Sequence, residues 1–397
     1  MMKNFQRLFF PYALVFYEAI LYLSNDMYLP SLPNIAQELR TSQDMAQYTL
    51  AIWFLGTCTL QLFLSPLSDR FGRRPMLLWG CLLFFISNLV CAYAETIEGL
   101  LLGRFLQGSV VGTVTVVGYA AVHEFYDSKK TVQLLSIMAS IIVLAPAVGP
   151  ILGAGILEYT SWRFIFQILA GMGVLGGIGI YILMPKDKAE KKEIILKRVM
   201  SQYGSLLKNK SFMRYGMAFC IILSSFFIWI VESPFVIIEG LKRDPSVFGW
   251  AQVFVFGCFG VGSQIAKVLI REKPVSYVIR LAIFTLISGG LLFVLASTFT
   301  SNLYLIVAAV TVVSLGASIS LGSLNRLAIE SSDVTMVSRT AVLSLLVSIT
   351  GTIASFVMTL VNNRTFFNLS IVMFLFVLAG VALIWPGSKK IKFRDNS

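Results

Sequence analysis

Long apolar runs, separated by proline, glycine and charged residues, dominate this sequence of 397 residues. A helix needs about 20 consecutive apolar residues to cross the hydrocarbon core of a bilayer, and runs of that length recur along the whole chain. The pattern therefore predicts twelve transmembrane helices. They are expected at residues 9–30, 46–66, 75–95, 100–122, 132–157, 163–184, 213–238, 247–270, 277–298, 302–325, 338–361 and 366–386.

Composition supports the same fold class. Hydrophobic residues make up 57% of the chain and charged residues only 13%, with a mean hydropathy of +0.80. Because a soluble domain carries about 25% charged residues, the sequence predicts an all-α membrane protein. The first apolar run is not expected to be a cleaved signal peptide, since Glu18 and Asp26 interrupt it and no small-residue cleavage site follows.

The net charge of +12 would raise the question of nucleic acid in a soluble protein. Here most Lys and Arg residues fall on one side of the predicted spans. Cytoplasmic loops are the ones enriched in Lys and Arg, so this asymmetry predicts that both termini are cytoplasmic. No nucleic-acid partner is expected.

One long basic loop divides the predicted spans six and six. The expected organisation is an N-terminal six-helix bundle (1–184), a basic linker (185–212) and a C-terminal six-helix bundle with a short basic tail (213–397). The linker interleaves lysines with isoleucine and leucine, which is typical of a helix lying on an anionic leaflet. A specific lipid or partner site is the alternative.

The chain lacks the residue sets of common enzyme and metal chemistry. Its five cysteines are odd in number and form no CxxC pair, so neither a disulfide framework nor a metal cluster is expected. The single histidine, His123, leaves no His pair for zinc and no nucleophile–base dyad. No Gly-rich P-loop is present, so an ATP-driven pump is not expected. Because the ionisable groups do not make a nucleophile-and-base set, an enzyme is not expected either, and no cofactor is predicted.

Two acids in the first span carry the strongest candidate chemistry. Glu18 and Asp26 lie eight residues apart, about 12 Å along a helix and about 80° around it, with Tyr22 and Asn25 between them in angle. Both can therefore face one cavity. A carboxylate inside a bilayer is costly unless it is paired, hydrated or protonated, and a group that changes between these states can couple transport to protons.

Arg104 is the one basic residue placed deep inside a predicted span. A lone buried cation is as costly as a lone anion, so it needs partners. One interpretation pairs it structurally with Asp26 or with a carbonyl. The other makes it a switch, whose contact with Asp26 or Gln107 changes when a proton binds.

The turn between the second and third spans reads S-P-L-S-D-R-F-G-R-R-P over residues 65–75. Charge and turn residues alone would fit a positive-inside turn. The order of residues, however, resembles the signature loop of the major facilitator superfamily, with Ser65 in place of the usual first glycine. Further matches resemble its twelve-helix drug:proton antiporters, in the branch of bicyclomycin- and chloramphenicol-resistance and MdfA-like exporters. These matches are N-D-M-Y-L-P-S-L-P (25–33), R-F-L-Q-G (104–108), A-P-A-V-G-P-I-L-G (145–153), W-R-F-I-F (162–166) and S-P-F-V-I-I-E (233–239).

This resemblance implies a major facilitator fold, with two six-helix bundles facing a central cavity in a bacterial inner membrane. It implies a proton-coupled antiporter that exports small lipophilic or cationic organic compounds, of the multidrug-efflux type. The protein is expected to act as a monomer. Protons, a small-molecule substrate and membrane lipid are the expected partners. By resemblance, Glu18 and Asp26 handle protons and cationic substrates, and Arg104 belongs to the proton relay.

Three further sets complete the expected site. Cavity-lining residues would bind substrate through stacking and cation–π contact, although packing explains each aromatic equally well. Charged residues at helix ends would form an inner gate, because they can pair when the cytoplasmic side is closed and separate when it opens. Prolines and glycines of the fifth span would allow bending and close helix contact, and the resemblance places this motif between the halves. The sets are Tyr22, Asn25, Trp53, Tyr119 and Phe235 for substrate; Asp69, Arg70, Arg73 and Glu124 for the gate; and Pro146, Gly149, Pro150 and Gly153 for the hinge.

Glu232 departs from the MdfA-like pattern, in which an amide is expected at this position. It is assigned to proton coupling, with a second anchor for a cationic substrate and an acid exposed to the outer vestibule as alternatives. Glu239, nearer the external end, is expected to be solvated.

The sequence is also compatible with other functions. Within transport, the chain could export an endogenous metabolite such as a siderophore, or take up a substrate together with protons. Outside transport, it could be a sensor or assembly partner that has kept the fold.

Overall fold

A computed structural model describes residues 2–185, 196–361 and 365–384. Within these ranges the chain is helical, with short turns between helices, and it divides into two compact units, Met1–Leu196 and Lys197–Ser397. All twelve predicted spans fall on helices. The prediction of an all-α fold is confirmed.

The described residues of the N-terminal unit form eight α-helices. Its fourth predicted span is continued by a π-helical segment, Thr113–Gly118, between α5 and α6. The helices are α1 (Met2–Asp26), α2 (Leu32–Glu38), α3 (Gln43–Phe71), α4 (Arg73–Ala92), α5 (Ile97–Gly112), α6 (Tyr119–Phe125), α7 (Ser128–Leu157) and α8 (Trp162–Leu183).

In the C-terminal unit, the part of the chain that the structure describes forms seven α-helices. A second π-helical segment, Phe235–Gly240, directly follows Pro234 at the end of the seventh predicted span. The helices are α9 (Leu196–Lys208), α10 (Lys210–Pro234), α11 (Pro245–Glu272), α12 (Val275–Phe299), α13 (Leu303–Glu330), α14 (Met336–Val361) and α15 (Phe366–Ile384).

Length and hydropathy make ten helical segments of the described ranges long and apolar enough to cross a membrane. The predicted spans 46–66 and 132–157 lie within α3 and α7, which are 29 and 30 residues long. Within α7, the apolar stretch Leu144–Leu157 is shorter than these segments.

The first span is less regular than the apolar pattern predicts. Instead of one helix over 9–30, α1 ends at Asp26, a 3-10 turn covers Leu29–Ser31, and α2 follows. Pro30 and Pro33 lack the N–H that a continuous helix would need, which explains the break.

Polar caps fix where several helices begin. The side chains of Ser42, Thr96 and Asp127 each accept a hydrogen bond from a backbone N–H in the first turn of the helix that follows. Gly72, between α3 and α4, has φ of 95°, a conformation that favours glycine. This requirement explains the glycine within the signature loop.

Small residues bring the helices of the N-terminal unit into close contact. A Cβ on Gly56 would overlap the Phe105 carbonyl oxygen, and a Cβ on Gly108 would overlap that of Trp53, so α3 and α5 touch backbone to backbone. This packing fixes Arg104, on α5, at its depth within the unit.

The basic linker is described only in part. Residues 186–195 lie outside the described ranges, and α9 begins at Leu196. Helix α9 buries Tyr203 and Leu206. The predicted contact of the linker with lipid stays a prediction.

Candidate functional site: a buried polar network in the N-terminal unit

Glu18 is fully buried and hydrogen-bonded to a residue from another helix. Its Oε1 accepts a hydrogen bond of 2.8 Å from the Tyr119 hydroxyl, at the first turn of α6. Its Oε2 has no hydrogen-bond partner among the described residues. One carboxylate oxygen is therefore held in place while the other remains able to carry a proton.

Tyr22 lies between the two acids on α1. The spacing of Glu18, Tyr22 and Asp26 is i, i+4, i+8, which places the three side chains along one helix face. Tyr22 is close enough to both carboxyl groups to interact with them electrostatically. The expectation that both acids share a face is consistent with this geometry.

Arg104 is fully buried and has several neutral acceptors. Its Nη1 donates to the Ser24 carbonyl oxygen at 2.9 Å and also to Gln107 Oε1, while its Nη2 donates to Asn25 Oδ1 at 3.0 Å. The guanidinium also lies over the Tyr28 ring, with Cζ 4.1 Å from the centroid. A carbonyl and two amides thus supply the hydrogen bonds that a buried cation requires.

Asn25 connects the cation to the second acid. Its Oδ1 accepts from Arg104, and its Nδ2 donates to Asp26 Oδ1 at 3.2 Å. Within the described chain, no ion pair of 4.0 Å or less joins Arg104 to Asp26. Of the partners anticipated from sequence, the carbonyl and Gln107 contact Arg104 directly, and Asp26 reaches it through an amide.

The hydrogen-bonded chain continues into α4. Gln107 Nε2 donates to Asn88 Oδ1 at 2.8 Å, and Asn88 Nδ2 donates to the Phe84 carbonyl oxygen at 2.8 Å. A continuous network therefore runs from Asp26 on α1 through Arg104 on α5 to Asn88 on α4.

Two members of this neighbourhood were not anticipated. Asn88 is a fully buried amide that, with the adjacent Ser87, interrupts an apolar part of α4, and that polarity was the available signal. Tyr28 stacks on Arg104 and shares a 2.9 Å hydrogen bond with Thr49 of α3. Its position in the N-D-M-Y-L-P segment could have drawn attention to it.

The hinge glycines of α7 pack against the end of α1. A Cβ on Gly149 would lie 2.7 Å from Asp26 Cβ, and a Cβ on Gly153 would overlap the Met27 carbonyl oxygen. Pro146 is half-buried and Pro150 is buried. The small-residue face of this motif therefore contacts the proton-site candidate Asp26 inside the N-terminal unit.

Part of the predicted gate forms an ion pair. Arg73 Nη2 lies 2.9 Å from Glu124 Oε1, and Arg73 also donates to Ser68. Arg70 is exposed, with its guanidinium over the Phe71 ring. The side chain of Asp69 lies outside the described part of the chain. The gating role of this set stays a prediction.

The predicted substrate aromatics differ in exposure. Trp53 and Phe235 are buried, whereas Tyr22 and Tyr119 are half-buried. Trp53 lies edge-on to Phe54, and the centroid of its ring is 6.0 Å from Arg104 Cζ. Trp53 therefore belongs to the surroundings of the buried cation, and contact of these residues with substrate stays a prediction.

Glu232 is fully buried in the C-terminal unit, near the end of α10. The adjacent Ser233 accepts a 3.3 Å hydrogen bond from Gln252, whose Oε1 in turn accepts one of 2.9 Å from Trp229. The acid therefore lies inside the unit, and its role stays a prediction.

Solved structures show the fold. A D-xylose-proton symporter has the same fold, with a TM-score of 0.79, covering 96% of this chain and 99% of that protein at 13% identity. The present chain therefore shares the helical fold of that protein.

Sequence comparison gives the family. Residues 14–341 match the Major Facilitator Superfamily, and the chain belongs to this family. The chloramphenicol resistance protein CraA of Acinetobacter baumannii is 29% identical, over 87% of this chain and 86% of its own length. The multidrug transporter MdfA of Edwardsiella piscicida is 30% identical, over 82% of this chain and 80% of its own length.

These comparisons confirm the resemblance inferred from the motifs, since the relatives fall in the drug:proton antiporter branch. The family consists of transporters rather than enzymes. Bacterial relatives and apolar helices together identify a multi-pass protein of the inner membrane.

Proposed function

We propose that this protein exports small lipophilic or cationic organic compounds across the bacterial inner membrane in exchange for protons. The observation that carries the proposal is the pair of buried acids on α1, Glu18 and Asp26, embedded in a network with Arg104. CraA is named as a chloramphenicol resistance protein and MdfA as a multidrug transporter, and these names support drug-like substrates.

Glu18 is the proposed site where proton and substrate compete. Its Oε1 is held by Tyr119, while its Oε2 is available for a proton or for a cationic group of the substrate. Because both ligands neutralise the same buried negative charge, binding of one weakens binding of the other. This competition is what exchange requires.

Asp26 is the proposed site that transmits protonation to the rest of the unit. In the ionised state it accepts a hydrogen bond from Asn25, whose other end binds Arg104. A proton on Asp26 weakens this acceptor, so the Asn25 amide can turn and alter the contacts of Arg104. Gly149 and Gly153 place α7 against this point, so the change can reach α7.

The remaining expectations are part of the same proposal. Glu232 acts as a proton-coupling acid of the C-terminal unit, and the Arg73–Glu124 pair, with Asp69 and Arg70, acts as a gate at the cytoplasmic end. Tyr22, Asn25, Trp53, Tyr119 and Phe235 contact the substrate. Both termini are cytoplasmic and the protein works as a monomer.

The experiment uses inverted membrane vesicles whose lumen has been acidified by respiration. Addition of an exported compound is expected to dissipate the pH gradient, because a proton leaves the lumen as the compound enters. The double variant Glu18→Gln, Asp26→Asn should abolish this response. Glu98→Gln, which neutralises an exposed acid at the first turn of α5, is the matched control and should leave it unchanged.

The same assay separates the alternatives. A response to cell extracts but not to lipophilic cations or neutral drugs would indicate a dedicated metabolite exporter. Proton-coupled uptake would give no dissipation on addition of compound to the outside of the vesicles, since substrate and proton would enter the lumen together. An unchanged response in the double variant would refute the assignment of these acids.

A further inference from the structure

A groove of about 280 Å³ lies between α4 and α8, away from the buried network. Its volume is at the lower limit of the ~300–1,000 Å³ of pockets that enclose drug-sized ligands. It suits a slender chain better than a ring system. Its lining is apolar apart from the tyrosine at one end, and consists of Leu78, Cys81, Leu82, Phe85, Gly173, Val174, Gly177, Ile178 and Tyr181.

Glycines create this groove. Gly173 and Gly177 lie four residues apart on α8 and face α4, where their Cβ atoms would lie 2.7 Å from Phe84 Cδ1 and 3.2 Å from Cys81 Cβ. The absence of side chains there lets the two helices approach each other and leaves a furrow along their contact.

The groove opens toward the surface that faces lipid. Its rim residues Leu82, Val174 and Ile178 are 45%, 41% and 49% exposed, and a cluster of exposed apolar side chains is typical of a surface that contacts hydrocarbon. The groove runs from Tyr181 to Gly173, eight residues or about 12 Å along a helix. One leaflet of the hydrocarbon core is about 15 Å thick, so the furrow extends through most of a single leaflet.

A cation stands at one end of the groove. Arg74, in the first turn of α4, lies one turn from Leu78 on the same helix face. Its guanidinium donates to the Tyr181 carbonyl oxygen and lies over the Tyr181 ring, with Cζ 5.0 Å from the centroid. Its Nε is buried and has no hydrogen-bond partner in the described chain.

We propose that this groove binds one acyl chain of an anionic phospholipid, whose phosphate is held by Arg74. The charge of the arginine is complementary to an anionic headgroup and repels the cationic compounds of the proposed transport function. Arginine binds phosphate through planar, multiple N–H donors, and a tyrosine at the same level is typical of the membrane interface. The placement of Arg74 at a basic helix end matches the leaflet expected to be rich in anionic lipid.

The test measures lipid binding to the purified, detergent-solubilised protein by native mass spectrometry during titration with phosphatidylglycerol or phosphatidylcholine. The wild type should bind the anionic lipid about fivefold more tightly, since one basic residue near a membrane surface contributes roughly that factor. Arg74→Gln should remove the preference. Arg280→Gln is the matched control, because Arg280 is also in an early turn of a lipid-exposed helix and donates to a backbone carbonyl oxygen.

A second pair of variants tests the groove itself. Val174→Trp and Ile178→Trp fill the furrow from exposed rim positions, and each should weaken binding of both lipids. Two exposed positions are used so that, if one variant does not fold, the other still tests lipid binding in the groove.

Equal affinity of the wild type for the two lipids would overturn the proposal, as would an equal effect of Arg74→Gln and Arg280→Gln. Unchanged lipid binding in the folded tryptophan variants would also overturn it. Binding of a lipophilic transported compound that displaces the phospholipid and persists in Arg74→Gln would assign the groove to substrate instead. All readouts are independent of transport, so failure of the proposed function would leave this inference intact.

Discussion

Three glycines on α7 allow a direct test of the contact between α7 and the acid-bearing end of α1. Alanine adds the same methyl group at each position, and in each case gains about 1 kcal/mol of helix propensity. Only the surroundings differ. At Gly153 the methyl would overlap the Met27 carbonyl oxygen, at Gly149 it would lie 2.7 Å from Asp26 Cβ, and at Gly155 it would meet no atom within 4 Å.

The expected magnitudes follow from these surroundings. Overpacking costs about 1–3 kcal/mol, and the upper end applies to Gly153→Ala because a backbone carbonyl cannot turn aside. After the gain in propensity, Gly153→Ala should destabilise the N-terminal unit by about 2 kcal/mol, or about 4–8 °C in melting temperature for a unit of this size. Gly155→Ala should raise the melting temperature by about 2–4 °C. Gly149→Ala should fall between them.

The assay is thermal unfolding of the purified protein, followed with a thiol-reactive dye. Cys81 and Cys91 are buried in the same unit and become reactive when it unfolds. Proton exchange in vesicles should be slowed in Gly149→Ala, whose methyl group displaces Asp26, and unaffected in Gly155→Ala. If Gly153→Ala melts as Gly155→Ala does, the close contact of α7 with α1 is refuted.

Three further predictions concern single interactions. Arg73→Glu and Glu124→Arg should each lower transport, and the double exchange should restore part of it; additive losses would argue against a functional pair. Asn25→Ala should lower the free energy of unfolding by about 1–3 kcal/mol, because it leaves the buried Arg104 short of one acceptor. It should also abolish substrate-driven proton flux, and flux at the wild-type rate would refute the relay. Asp244 caps α11, and hydrogen bonds from the backbone and side chain of Ser246 hold its pKa below the usual value. The cap therefore stabilises the fold above the unfolded-state pKa and is lost as pH falls through the folded-state pKa, below about 4. Asp244→Ala should lower the free energy of unfolding by about 1 kcal/mol at neutral pH and leave it unchanged in strong acid, as measured by thermal unfolding at a series of pH values.

The positions of the helices could be predicted from sequence because membrane crossing imposes a length and a polarity on each segment. The burial of Glu18, Asp26 and Arg104 could also be anticipated, since each charge interrupts an apolar run. The break after Asp26 was missed, although Pro30 and Pro33 mark it, because apolar composition alone does not distinguish one helix from two.

The partners of the buried charges could not be predicted in the same way. Asn88 lies 19 residues from Gln107, and Tyr119 lies 101 residues from Glu18, so these contacts depend on how helices pack. Periodicity describes which face of a helix is polar and carries no information on which other helix that face meets. The glycines that set helix separation, such as Gly108 against Trp53, cannot be recognised from the sequence either, because the helix that each one contacts is not known.

The amide between Arg104 and Asp26 bears on how a buried acid can exchange protons at all. Two opposite charges in direct contact at about 4 Å attract by about 4 kcal/mol at an effective dielectric constant near 20. A proton that binds the acid would have to overcome that attraction, which would weaken proton binding about a thousandfold. With Asn25 interposed, Arg104 keeps the Ser24 carbonyl and Gln107 as neutral acceptors whether or not Asp26 is charged. Protonation of the acid then leaves no unpaired cation behind, so the network can pass between its two states without the large penalty of a broken ion pair.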